Sequence, residues 1–312
     1  MIFFCRAAIA SENWTMADNA WWVTFPQMER ETLVGFRKAL DGTYRNFSRS
    51  YGDAIEAFFE PLLFFLVWFE RLLINAPWWV VLLAVCALAY LVSRSWKIVV
   101  GTTMAFLLIG FFGMWKDTMS TMSIITVCTL IAITLGVPIG IAMARSDKVR
   151  TIVTPILDVM QTMPAFVYLI PVVMLLGIGK VPGVIAVVIY AIPPVIRLTN
   201  LGIRLVDKDV LEAADAFGAS GWQRLTGVQI PLALPTIMAG INQTIMMALA
   251  MTAITALIGS RDLGQEIYKA LPGADTGRGL MAGLGIAFIG IIADRLIGAW
   301  SARRKRELGI EG

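Results

Sequence analysis

The 312 residues are 58% apolar and only 15% charged, with a mean hydropathy of +0.74, which is more apolar material than a soluble domain of this length covers with polar surface. The apolar residues run together in stretches long enough to cross a bilayer core, which takes about 20 residues of helix. Histidine is absent, which removes the commonest general base and metal ligand, and the net charge of +4 matters less by its sum than by where the charges lie.

In chain order, residues 1–76 read as a polar tail followed by an amphipathic helix. The opening MIFFCRAAIA is too short, and its only base falls too late, for a secretory signal. Trp14, Trp21 and Trp22 read as interfacial or packing aromatics rather than a ligand cage. Two triplets, Asn13-Trp14-Thr15 and Asn46-Phe47-Ser48, match the glycosylation pattern, a weak signal. In 54–75, AIEAFFEPLLFFLVWFERLLIN, the charges of Glu56, Glu60, Glu70 and Arg71 interrupt the apolar run. That pattern suits a helix lying on the membrane better than a span, and a crossing here stays open.

Seven spans follow, at 78–92, 98–115, 122–144, 164–178, 184–198, 232–258 and 280–300. The fold class expected is therefore all-α integral membrane, with a membrane domain over 77–303, a long polar loop over 204–231 and a short tail over 304–312. Pro138, Pro171, Pro193 and Pro194 fall inside spans, where neighbouring groups and waters satisfy the freed carbonyls. With the N-terminus outside, thirteen lysines and arginines fall on the inner face against five on the outer, counted after residue 76. Short loops rich in Lys and Arg stay cytoplasmic, so the expected orientation is N-terminus out and C-terminus in.

No nucleophile, base or metal site is assembled. GIGKV at 177–181 lacks the glycine spacing of a phosphate loop, and Lys180 is not followed by Ser or Thr. Cys5, Cys86 and Cys128 lie far apart without metal or redox spacing, and the last two read as buried thiols. Gly136–Gly140 and Gly279–Gly283 have the small-xxx-small spacing of close helix packing.

The long loop carries LEAADAFGASGWQRLTGVQIPLALP. Asp207 and Asp209 suit the N-terminal dipole of a helix. Leu211, Ala214 and Phe217 make an apolar stripe, and Gly218 and Gly221 end it. Such a helix suits a groove in another protein, or lies on the bilayer; periodicity alone does not separate the two.

Residues Glu212-Ala213-Ala214, Gly218 and Val228-Gln229-Ile230-Pro231 resemble the EAA loop of binding-protein-dependent ABC permeases: EAA, three residues, Gly, nine residues, then I-x-L-P. ILDVMQTMPAFVYLIPVVML at 156–175, GIGKVPG at 177–183, AIPPVIRLTNLGI at 191–203, FGAS at 217–220 and PLALPTIMAGINQTIMMALAM at 231–251 narrow the resemblance to the permeases of glycine betaine/proline importers and their choline, carnitine and trimethylamine oxide relatives. The resemblance covers about residues 76–300.

That resemblance implies the type I importer permease fold in the bacterial inner membrane, and a role in osmoprotection. The partners it implies are a second copy of the chain, two ATP-binding subunits that hold ATP and magnesium, and an external binding protein. This chain itself would bind no cofactor or nucleic acid and would be a transport subunit rather than an enzyme. Glu212, Ala213, Ala214, Phe217, Gly218 and Pro231 would form the ATPase-coupling loop. For the translocation path the candidates are Gln161, Thr162, Met163, Pro164, Phe166 and Tyr168 around the proline break, with Asn242, Gln243 and Thr244. Each has an equal alternative as a helix–helix hydrogen-bonding group. Asp294 beside Arg295 reads as a snorkelling pair. The rival function is an ion-coupled secondary transporter of small amines, which usually carries a mid-membrane acid or a broken-helix ion site; spans three to six hold no mid-span Asp or Glu.

Overall fold

The computed structural model describes residues 28–307 and 309, which among them form helices and turns and no strand. Trp14, Trp21, Trp22, Cys5 and the first glycosylation-like triplet lie outside the described residues. The chain divides into two compact units, Met1–Ser50 and Tyr51–Gly312. In the first, the described part is the opening of helix α1 (Arg30–Asn75), with Glu31 in the first turn suiting the helix dipole.

The second unit holds the rest. Its helices are α2 (Trp78–Ser93), α3 (Trp96–Phe111), α4 (Trp115–Arg145), α5 (Asp147–Thr162), α6 (Leu169–Leu176), α7 (Lys180–Ala191), α8 (Pro193–Arg204), α9 (Lys208–Ala216), α10 (Gly221–Arg224), α11 (Ile230–Thr255), α12 (Leu263–Ala270) and α13 (Thr276–Glu307). Proline sets two sharp corners. Pro77 disfavours helix at Ala76, and α1 and α2 meet at 109°. Met163 before Pro164 is extended (φ −67°, ψ 136°), and the chain turns by 111° between α5 and residues 165–176.

Each of the seven expected spans falls on helix, in order, but they are not equal. Four stretches are long and apolar enough to cross a membrane: Trp115–Arg145, Lys180–Arg204, Gly221–Ile258 and Thr276–Glu307. The two bent pairs raise the number to at most six, and the 16-residue α3 is a shorter apolar helix. Residues 165–176 fall short of the expected fourth span: 12 helical residues rise only about 20 Å, against a hydrocarbon core of about 30 Å.

Among the described residues, two of the four core clusters lie in succession along α4, α7–α8 and α11. One gathers Val127, Cys128, Tyr168, Val187, Ala248 and Met251; the other gathers Met143, Leu157, Val195, Ile203, Leu225 and Ile237. In lipid there is no hydrophobic gain in pairing apolar helices, so close approach of small residues must hold the bundle. Helix α8 is gripped this way. A Cβ on Gly136 or Gly140 of α4 would stand 2.5 Å from Val195 Cγ1 or 2.6 Å from Thr199 Cβ, and one on Gly240 of α11 would stand 2.9 Å from Leu198 Cβ. The other small-residue pair does not repeat this: around Gly283 nothing lies within 4 Å.

Cys86 and Cys128 are free thiols; Cys86 sits 3.0 Å from Thr103 Oγ1, and Cys128 donates to the Val184 carbonyl. Large apolar side chains are widely exposed, Phe111, Leu83 and Leu91 among them. A membrane surface accounts for such a coat.

Candidate functional site

The long loop builds a compact lever. Arg204, closing α8, donates to the Met143 carbonyl (2.8 Å) and to Asp147 Oδ1 (2.7 Å), tying the loop's root to the corner between α4 and α5. Asp207 caps α9 by accepting from the Asp209 amide at 3.0 Å. At the other end the Ala219 amide reaches the Ala214 carbonyl and the Gly218 amide the Asp215 carbonyl, with Gly218 left-handed at φ +80°. That is the Schellman arrangement. Ser220 and Gln223 then form a reciprocal capping box on α10. Arg224 Nη1 pairs with Asp215 Oδ2 at 2.6 Å, closing α9 against α10. A π turn, Leu225–Gln229, leads without a break into α11, whose first turn carries Pro231.

The stripe expected on α9 is split. Leu211 packs into the core beside Ile230 and Leu232, and Ala214 is half-buried. Phe217, by contrast, is 93% exposed, because the helix has already ended there and the turn swings the ring outward. Trp222 is 66% exposed on the same hairpin, while Leu225 behind it is buried. Glu212 and Ala213 are exposed, and Glu212 has no partner among the described residues. The lever therefore has an apolar foot in the bundle and an aromatic tip outside it.

The nine path candidates do not form one lining. Gln161, Thr162 and Phe166 are exposed; the Thr162 hydroxyl bonds back to the Asp158 carbonyl at 3.0 Å. Met163 and Tyr168 pack inward together, near Met247 and Met251 of α11. The Tyr168 hydroxyl donates to the Met160 carbonyl at 2.6 Å, satisfying an acceptor that the break at Pro164 freed. Asn242, Gln243 and Thr244 are adjacent in sequence and so point about 100° apart on the helix. Asn242 Nδ2 donates to Asp294 Oδ1 of α13 at 2.8 Å; Gln243 is exposed; the Thr244 hydroxyl is buried without a partner among the described residues. The Asp294–Arg295 pair is thus corrected: neighbouring residues on a helix do not face each other, and Asp294 is held by Asn242.

Two polar clusters were not anticipated. Glu70, 6% exposed near the end of α1, accepts from Ser120 Oγ at 2.7 Å and pairs with Lys180 at the start of α7. Leu66, one turn earlier, is 1% exposed. The end of α1 is packed into the bundle, and the interruptions that suggested a surface helix include an inward-facing acid. The legible signal was Leu62, Leu66 and Phe69 at helical spacing on the face that carries Glu70.

The second cluster surrounds α12. Glu266 pairs with Lys269 (2.9 Å) and Arg278 (2.5 Å). Burial works against its carboxylate, but those two cations outweigh it and hold the carboxyl below its ordinary range. Asp262 caps α12 by accepting from the Gln265 amide at 3.2 Å, and burial pushes its carboxyl up to about 6. Its Oδ2 is buried without a partner among the described residues.

The sequence profile described as "Binding-protein-dependent transport system inner membrane component" matches residues 136–306. The chain is 46% identical over 233 residues to a glycine betaine/carnitine transport permease protein of Listeria monocytogenes, covering 74% of this chain and 83% of that one. It is 49% identical over 210 residues to a glycine betaine transport system permease protein of Bacillus subtilis, covering 67% and 74%. Over 236 residues it is 44% identical to a glycine betaine/proline betaine transport system permease protein of Escherichia coli, covering 76% and 66%. In fold it resembles a chain of the inward-facing MetNI methionine ABC transporter, with a TM-score of 0.52 and 20% identity, covering 58% of this chain and 92% of that one.

Proposed function

The chain belongs to the family of binding-protein-dependent transport system inner membrane components, and from that premise we propose that it is the membrane-spanning subunit of an ATP-driven importer for a small quaternary-amine or zwitterionic osmolyte of the glycine betaine class. The lever carries this reading. A capped, salt-bridged helix whose foot enters the core and whose tip presents Phe217 and Trp222 is shaped to receive a push from another protein and pass it to α11. The relatives named for glycine betaine support the substrate class. ATP and magnesium would be held by two separate ATP-binding subunits docked on the lever, and the lever would face the cytoplasm, leaving the α12 cluster outside.

The translocation path would form between two copies of this chain. Ala239, Gln243, Met246 and Ala250 make an exposed stripe along α11 at spacings of four, three and four, and Gln243 is the polar group on it. Gln161, Thr162 and Phe166 would line the path's margin. An external binding protein would supply the amine, with selectivity resting mainly there in an aromatic enclosure that stabilises the cation.

The test is reconstitution of the tagged chain with its ATP-binding subunit and binding protein in vesicles. Glycine betaine uptake is expected with ATP inside and not without it. Uptake that follows an ion gradient and ignores ATP would replace this reading with a secondary transporter. Labelling of Phe217→Cys from the cytoplasmic side and of Tyr268→Cys from the other checks the orientation.

A further inference from the structure

Helices α3 and α13 enclose a groove of about 410 Å³ whose walls are apolar along most of their length, Gly101, Leu108, Phe288 and Ile292 among them. One end of it is different. Lys97 and Arg295 line the groove there, both exposed, and neither makes an ion pair or hydrogen bond among the described residues. The two cations belong to the same end of the bundle, because the end of α2 and the C-terminal end of α13 share a pocket, and α3 starts three residues after α2 stops.

That end carries the marks of a headgroup level. Trp96 is largely exposed beside Tyr90, with ring centroids 5.3 Å apart, and Trp300 lies under Arg304 at 5.8 Å. Amphipathic aromatics collect at this depth. From Lys97 to Leu108 the helix rises about 16 Å, close to half of a hydrocarbon core of about 30 Å. The groove is therefore one leaflet deep, apolar where acyl chains lie and doubly cationic where phosphates lie. We infer that it binds one anionic phospholipid, its tail along Gly101 and Ile292 and its phosphate between Lys97 and Arg295. A lysine and an arginine that snorkel to the same phosphate need no protein partner. The inference rests on the chain's embedding in a bilayer and not on what it carries.

Full-length protein, purified in mild detergent and equilibrated with phosphatidylglycerol and phosphatidylcholine, is read by native mass spectrometry. The wild type should retain phosphatidylglycerol in preference, by roughly fivefold for each cation, about 1 kcal/mol apiece. The Lys97→Ala/Arg295→Ala variant should lose that preference while keeping helicity. Nothing lies within 4 Å of a Cβ on Gly101, so Gly101→Leu should fill the groove without strain and lower retention of both lipids. An unchanged preference in the charge variant, or unchanged retention in Gly101→Leu, overturns the proposal. So does full displacement of the lipid by glycerol phosphate alone, which would make the site one for a soluble phosphate.

Discussion

At Gly218 the backbone holds φ at +80° with open space around the α-carbon, so the glycine serves conformation rather than fit. Gly218→Val should add about 1–2 kcal/mol of local strain and shift the aromatic tip. The expected readout is full membrane insertion with a loss of substrate-stimulated ATPase in the reconstituted complex; normal stimulation would count against the lever as the coupling element. Glu212→Ala should weaken retention of the ATP-binding subunit and leave insertion unchanged, since its side chain is exposed and makes no hydrogen bond or ion pair among the described residues. Glu70 is the opposite kind of residue. Removing it strands Lys180, and Glu70→Ala should cost about 2 kcal/mol, below the usual 3–5 for a buried pair because Lys180 is about one-quarter exposed. A lowered thermal midpoint in detergent, recovered by Glu70→Leu with Lys180→Met, checks this; no change would make the pair incidental.

Helix by helix, the glycine seams and the α12 cluster give separate tests. On α4, a Cβ at Gly140 would meet the Ile196 carbonyl at 2.7 Å, so Gly140→Ala should cost about 1–3 kcal/mol. Gly283→Ala, with the same sequence spacing and no neighbour to meet, should cost nothing. Midpoints from thermal unfolding distinguish them. Around α12, Asp262 titrates higher in the folded chain than in the unfolded one. The folded state then binds more protons between about 4 and 6, and the stability due to Asp262 falls as pH rises through that window. Glu266 has the reverse sign: its contribution is present above its unfolded value of 4.5 and is lost as pH falls. Hydrogen exchange in α12, corrected for its intrinsic rate, should be slowest near pH 4, where the rise due to Glu266 gives way to the fall due to Asp262. Asp262→Asn, which keeps a capping oxygen, should remove the loosening between about 4 and 6.

For the whole molecule, hydropathy marked the seven apolar stretches that fall on helix, because a bilayer imposes its length on the sequence directly, but it marked neither α5 nor α12 and left the inward packing of the end of α1 unread. The EAA pattern likewise placed the helical hairpin, since its spacing encodes a helix, a left-handed turn at Gly218 and the entry into α11. What stayed illegible depended on direction. Asn242, Gln243 and Thr244 are neighbours in text and strangers in space, and a run of polar letters does not say which helix each one faces. Glu70 needed the fold for the same reason: its partners lie 50 and 110 residues away in the chain.

The seams that grip α8 have a mechanical consequence. Where bare backbone meets side chain with no flexible filler, there is no slack to absorb displacement, as in gears cut without backlash. A displacement of α8 would then carry α4 and α11 with it, the three helices swinging as one body rather than sliding past one another.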